Sequence, residues 1–247
     1  MEVHAHTHTA RKKFTHYLWE FLMLFLAVFC GFLAEYQLEH KIEQNKEKQF
    51  MLSMIEDMKA DTANIAILKK QRNTRLQMSD SLCTAIIEKR YIANGAVFYY
   101  YGRNVSRRAP FYSSDGTMQQ LKNSGGLRLI SKKAISDKII AYDVLYREII
   151  SQQQYVELQI NEYREIAGKI FDAAVFRNMP AFNDSILIEK PSGNPQLADR
   201  SPGLLNEMAN KLNYWSLGSS RLNTLLEELR KKANDLLILI KKEYHLK

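Results

Sequence analysis

Residues 17–36 read YLWEFLMLFLAVFCGFLAEY, and Glu20 and Glu35, near the two ends, are the only charges in the stretch. About twenty helical residues at roughly 1.5 Å each reach roughly 30 Å, the hydrocarbon thickness of a bilayer. Tyr17 and Trp19 mark one margin and Tyr36 the other, where interfacial aromatics belong. Arg11, Lys12 and Lys13 precede the stretch, and the residues after it mix both signs. The positive-inside rule then places the N-terminus in the cytoplasm and about 210 residues outside it. A cleaved signal peptide fits less well, because Phe32 sits where a cut after Ala34 needs a small residue. A lipoprotein signal at Cys30 meets the same objection from Phe29. A buried core helix lacks a reason for the flanking charges and aromatics. The expectation is one transmembrane helix at 17–36 carrying one extracytoplasmic domain.

Within this helix Ala27, Cys30, Gly31 and Ala34 share a face and form two small-xxx-small pairs, which let helix backbones approach closely. Glu20 lies one heptad before Ala27 on that face, with His16 one turn earlier as its candidate partner. The face predicts association with a second copy or with another membrane protein. Upstream, residues 1–16 form a His-rich tail, in which His4, His6 and His8 alternate as a weak candidate metal site. Downstream, residues 37–50 form a polar helical neck, with Ile42 the only apolar residue between Glu39 and Gln49.

Residues 51–247 carry the domain. A hydrophobic content of 46% and a charged content of 25% are those of an ordinary folded protein. The net charge of +8 is spread along the chain, which suits neighbouring anionic lipid or an acidic partner and gives no sign of nucleic-acid binding. Cys30 lies in the membrane stretch and Cys83 beyond it, so the fold uses no internal disulfide. Helical spacing appears at Met51, Met54, Met58, Ile65 and Leu68, then at Leu76, Leu82 and Ile86, extending the first helix to about residue 90. The seam Ile135, Ile139, Tyr142, Tyr146, Ile149, Gln153, Val156, Ile160, Tyr163, Ala167, Ile170 and Ala174 alternates steps of four and three, as helix-to-helix packing requires. Ser131 reads as its N-cap, and Gln153 as a polar register pin. A second seam runs from Leu205 through Met208, Leu212, Trp215, Ser219, Leu222, Leu226, Leu229, Ala233 and Leu236 to Ile240. The fold class is all-α: the transmembrane helix continues into an elongated antiparallel bundle with coiled-coil-like seams.

Two stretches interrupt it. Residues 92–117 read as a loop, with Phe98–Tyr101 as a short strand or a plug over the bundle end. Its Tyr99, Tyr100, Tyr101, Arg103, Arg107 and Arg108 form a candidate site for an anionic or sugar-like ligand. Residues 179–203 hold Pro180, Pro191, Pro195 and Pro202 and read as a second loop, with Ile186–Ile188 as a short strand or lid. Between them TMQQLKNSGG reads as a short helix closed by glycine.

RKKFTHYLWEFLMLFLAVFCGFLAEYQLEHKIEQNKEKQFMLSMIEDMKADT, preceded by MEVHAHTHT, resembles an uncharacterised family of single-pass membrane proteins of Gram-negative bacteria. The family shares a His-rich start, an E-F/G-L-M-x-F-L-A-V anchor and a charged exit, here Leu38, Glu39 and His40. LKNSGGLRLISKKAISDKIIAYD also resembles a helix-turn-helix segment of related anchored proteins, with Lys132 or Lys133 where those have Asn or Asp. The resemblance implies topology and location, and no activity.

The residue inventory does not supply a familiar chemistry. Beyond the anchor only His40 and His245 remain, Cys83 has no histidine near it in sequence, and no phosphate-binding glycine loop or nucleophile elbow is present. Glu56, Asp57 and Asp61 read as a solvated helix face. The expectation is therefore no enzyme and no cofactor. The leading reading is a membrane-anchored scaffold or accessory subunit acting through protein contacts. The alternative is a sensor-like ligand-binding domain that signals through a partner.

Overall fold

The computed structural model describes residues 14–179 and 188–246. The protein is all-helical, with 83% helix and no strand among the described residues. Helix α1 spans Phe14–Ile87, α2 Gly95–Val105, α3 Gly116–Asn123, α4 Lys133–Ile170, α5 Ala173–Asn178 and α6 Pro202–Glu243. The chain divides into two compact units, Met1–Phe50 and Met51–Lys247.

In the first unit the α1 surface over residues 17–36 is largely apolar and exposed. Met23, Leu24 and Val28 are each about 70% exposed. Phe21, Phe25 and Phe29 stack at successive helical turns, with centroids 6.3 and 5.9 Å apart, as i,i+4 neighbours should. His16 Nε2 lies 3.1 Å from Glu20 Oε1, also four residues on.

In the second unit α4 and α6 run antiparallel. Lys132 reaches Glu243 at 3.7 Å, Glu148 meets Arg221 at 3.1 Å, and Lys211 meets Glu162 at 2.8 Å. Gln152 donates to the Gly218 carbonyl at 3.0 Å between the last two. Beneath these polar ties the α6 seam is buried from Leu205 to Ile240, Ser219 included. Helix α6 is unbroken at Gly218, and α4 comes close there: a Cβ at 218 would lie 2.4 Å from Gln159 Oε1. The part of α1 in this unit also runs antiparallel to α6. Lys69 meets Glu227 at 2.9 Å, Asn73 meets Asn223 at 2.9 Å, and Ser79 meets Ser216 at 2.9 Å. Hydrogen bonds from Arg230 first and then Lys69 lower the Glu227 carboxyl pKa to about 2.

The inward face of α1 differs from the apolar pattern in one respect. Met51, Met54, Met58, Ile65, Leu68 and Leu82 are buried, but so are Asp61, Arg72, Arg75 and Ser79. Those four complete the same steps of three and four, whereas Leu76 is only half-buried. Asp61 is thus no solvated carboxylate. It accepts hydrogen bonds from the Ser114 backbone at 2.7 Å and from the hydroxyls of Ser113 and Tyr142. Burial, with the Asp61 charge adding to it, pushes the Tyr142 hydroxyl well above its ordinary range.

Three further expectations are corrected. The 92–117 stretch is not a loop throughout, and Phe98–Tyr101 is helix rather than strand, because α2 occupies Gly95–Val105. Its buried residues Phe98, Gly102 and Val105 keep helical spacing, and tertiary burial outweighs the strand preference of Val, Phe and Tyr. The cap of α4 is Lys132, in extended conformation, and not Ser131. The α4 seam stops at Ile170: Phe171 is extended, and Ala174 is exposed on α5. Of the strand or lid proposed at 186–188, only Ile188 lies within the described residues; it is buried and outside any helix.

Helix α2 is held against the 188–198 connection. Asn104 exchanges hydrogen bonds with the Ile188 backbone at 2.9 and 2.7 Å, and Tyr163 donates to the Gly102 carbonyl at 2.8 Å. A Cβ at Gly102 would fall 2.3–2.9 Å from the Phe171 ring. Gly102→Ala gains about 1 kcal/mol of helix propensity but displaces a packed ring, which costs about 1–3 kcal/mol. We expect net destabilisation, read as a lower thermal midpoint by circular dichroism of the full chain in detergent; an unchanged or raised midpoint would refute this packing.

Candidate functional site

Residues 106–115 join α2 to α3, and side chains from two long helices hold this segment by its backbone. Arg75 donates to the Arg107 carbonyl and Arg72 to the Ala109 carbonyl, the latter at 3.2 Å. Arg164 donates to the Ser106 carbonyl. Gln153 grips Phe111 at both ends, accepting from its N–H at 2.6 Å and donating to its carbonyl at 3.1 Å. Gln153 therefore anchors a connecting segment rather than a partner helix. Pro110 explains the need for such anchoring, since it cannot donate to a helix and leaves its neighbours extended.

Between this segment and the α4 and α6 side chains lies a cavity of about 530 Å³. Phe111, Val156, Ile160, Trp215 and Leu222 supply apolar lining. Arg72, Arg75, Arg107, Arg108 and Arg164 supply cationic lining, and Glu157 is the one carboxylate residue among the lining residues. Glu157 is already engaged by Arg164 at 2.9 Å and Arg108 at 3.2 Å. Arg72 and Arg75 are buried, and their guanidinium pKa values are lowered to about 10 by desolvation first, then by a neighbouring arginine. Both stay charged at neutral pH. The cavity can therefore attract an anion and offer it an apolar wall.

The six residues expected to form one ligand site do not converge. Arg107 and Arg108 line the cavity. Tyr99 is buried in an aromatic cluster, 5.0 Å from the Phe171 ring and 5.5 Å from Phe176. Its hydroxyl accepts from the Asp172 N–H at 2.8 Å and donates to the Gln196 carbonyl at 3.1 Å. Arg103 lies over the Phe176 ring at 5.1 Å. Tyr100 and Tyr101 are half-buried and pack on each other. Helix α2 causes the separation, since residues consecutive in a helix point about 100° apart. Arg72, Arg75 and Arg164, the residues that complete the cationic lining, are missed by a search for loop residues. The available signal is their phase, because Arg72 and Arg75 fall on the inward heptad of α1.

The candidate metal residues His4, His6 and His8 lie outside the described residues. Among the described residues no three His, Cys, Asp or Glu side chains group as a metal site. The association residues Glu20, Ala27, Cys30, Gly31 and Ala34 all lie on the exposed part of α1, and a Cβ at Gly31 would meet no atom within 4 Å. Cys83 is no activated nucleophile: burial, aided by Asp80, pushes its thiol up to about 11. Comparisons with protein-family models, curated proteins and solved structures give no match.

Removing the Gln153 amide leaves both backbone groups of Phe111 without their partner. Gln153→Ala should lower stability by about 1–3 kcal/mol and speed tryptic cleavage after Arg107 and Arg108 several-fold. Cleavage at the wild-type rate, followed by mass spectrometry of the fragments, would show that the amide does not hold the segment.

Proposed function

We propose that this chain is a single-pass membrane protein of the bacterial inner membrane, N-terminus inside, whose helical domain faces the periplasm as a scaffold or accessory subunit. The observation that carries the reading is on α1. It contains an 18-residue window of mean hydropathy 2.0, none of it buried. Leaving that surface in water costs about 25 cal/mol per Å², which a bilayer removes. The basic residues before it and the mixed charge after it set the direction. The seams of α1, α4 and α6 support a bundle that offers side-chain surfaces to a protein partner. Ala27, Cys30, Gly31 and Ala34, with Glu20, offer a second contact within the membrane, to another copy or to a different membrane protein.

A ligand-binding, sensor-like reading is favoured by a separate observation, the arginine-lined cavity, and concerns the same domain.

Topology is tested with single cysteines at Ala5 and Lys190 in a background lacking Cys30 and Cys83. A membrane-impermeant maleimide applied to intact spheroplasts should label position 190 and spare position 5; the reverse pattern would sink the orientation. Gly31→Ile should weaken a detergent-stable oligomer by about tenfold or more in dissociation constant. An oligomer that survives the change unaltered removes this face from the argument. A mild-detergent pull-down with mass spectrometry then asks for a stoichiometric partner, which the scaffold reading requires.

A further inference from the structure

We propose that the cavity lined by Arg72, Arg75 and Arg107 binds a small organic anion, a phosphate or carboxylate group carried on an apolar body. This deepens the ligand-binding reading of the cavity and is independent of membrane topology.

The first argument is charge balance. Of the five arginines lining the cavity, Arg108 and Arg164 share Glu157. Arg72, Arg75 and Arg107 form no ion pair with any described residue. A buried guanidinium without a counter-charge is costly, and proteins normally pair such groups or place them against an anion. Arg72 and Arg75 are each only 5% exposed, one helical turn apart on α1, so the two charges also repel each other. A single anion would relieve both penalties.

The second argument is the count of donors. Arginine carries five N–H groups in a planar fork suited to carboxylate and phosphate oxygens. The carbonyls of Ala109, Arg107 and Gln71 take up some of those on Arg72 and Arg75. Arg72 Nε and Arg75 Nη2 are buried and have no partner among the described residues. Holding the 106–111 segment therefore does not account for all of these two side chains. Buried polar groups left over in this way are uncommon in native structures; both atoms are covered as the side chains lie, and a turn of either guanidinium toward the cavity it lines would give them an anion's oxygens.

The third argument is size and wall chemistry. At about 530 Å³ the space falls in the range of small-molecule sites. It is much larger than a bare phosphate needs, and Phe111, Trp215 and Leu222 lie along it. An anionic head on the arginines with an aromatic or aliphatic body against these side chains uses both parts of the lining.

The test uses the full chain in nanodiscs, with phenyl phosphate, benzoate, inorganic phosphate and benzyl alcohol as probes in titration calorimetry and thermal unfolding. Phenyl phosphate or benzoate should bind saturably and raise the unfolding midpoint, more tightly than inorganic phosphate, and benzyl alcohol should not bind. Arg72→Met/Arg75→Met should weaken that binding on the order of 10- to 100-fold, the loss expected for hydrogen bonds to a charged group. Should that variant fail to fold, Arg107→Ala keeps the carbonyl that Arg75 grips and should still weaken binding several-fold. Equal binding of benzyl alcohol, insensitive to these changes, would overturn the anion assignment while leaving a ligand-binding cavity. Anion binding of equal strength in wild type and variants would be non-specific and would also overturn it. Absence of binding by every probe would overturn both the assignment and the ligand reading.

Discussion

A buried polar group must find a partner or cost free energy, and that constraint organises the domain from residue 51 onward. Its helical seams are not uniformly apolar. Asp61, Arg72, Arg75 and Ser79 interrupt the inward face of α1, and Gln153 interrupts that of α4. Ser79 is satisfied across the helix interface by Ser216. The others turn to the 106–115 connection, whose backbone lies outside any helix and carries groups that no helix satisfies. Asp61 takes the Ser114 N–H, Gln153 takes both groups of Phe111, and the arginines take carbonyls of Arg107 and Ala109. Side chain and segment thus satisfy each other.

The two ends of that exchange differ in completeness. Around Asp61 the match is close: a carboxylate accepts only, and it meets one backbone N–H and two hydroxyls. Around Arg72 and Arg75 the carbonyls run out before the donors do. The same physics that makes the first site a structural pin makes the second a place where a ligand adds something the protein lacks. The aromatic region of α2 contrasts with both. Tyr99, Phe171 and Phe176 pack ring against ring and the Tyr99 hydroxyl is bonded in two directions. It packs against the connection at 188–198, where a smaller opening of about 340 Å³, lined by Val175, Lys190 and Pro191, holds no arginine among its lining residues.

How far the fold was legible depends on how local the signal is. The seam from Leu205 to Ile240 is one helix because its steps of four and three survive Gly218, and a reader of the sequence can count them. The apolar stretch at 17–36 is as plain, since composition and length suffice to mark it. The α2 segment reads as loop or strand because Gly95 and Gly102 obscure a helical period and its Val, Phe and Tyr residues have strand preferences. The fate of Ser131 was also beyond local reading, since one residue's choice of cap depends on how α3 delivers the chain to α4. The cationic cavity was half legible. Arg107 and Arg108 stand out in a basic stretch, whereas Arg72 and Arg75 resemble any charged pair on a long helix until their phase is compared with Met58, Ile65 and Leu68.

What the sequence by itself determined was the all-helical class, the long first helix and the uninterrupted seam from Leu205 to Ile240, because periodicity and hydrophobic length are carried by neighbours along the chain. What only the tertiary structure decided was the meaning of the charges. Whether an arginine is solvated, clamped to a carbonyl or left waiting for an anion depends on which distant backbone reaches it. Arg72 and the Ala109 carbonyl, 37 residues apart, meet only because three helices and a proline-bent segment bring them together.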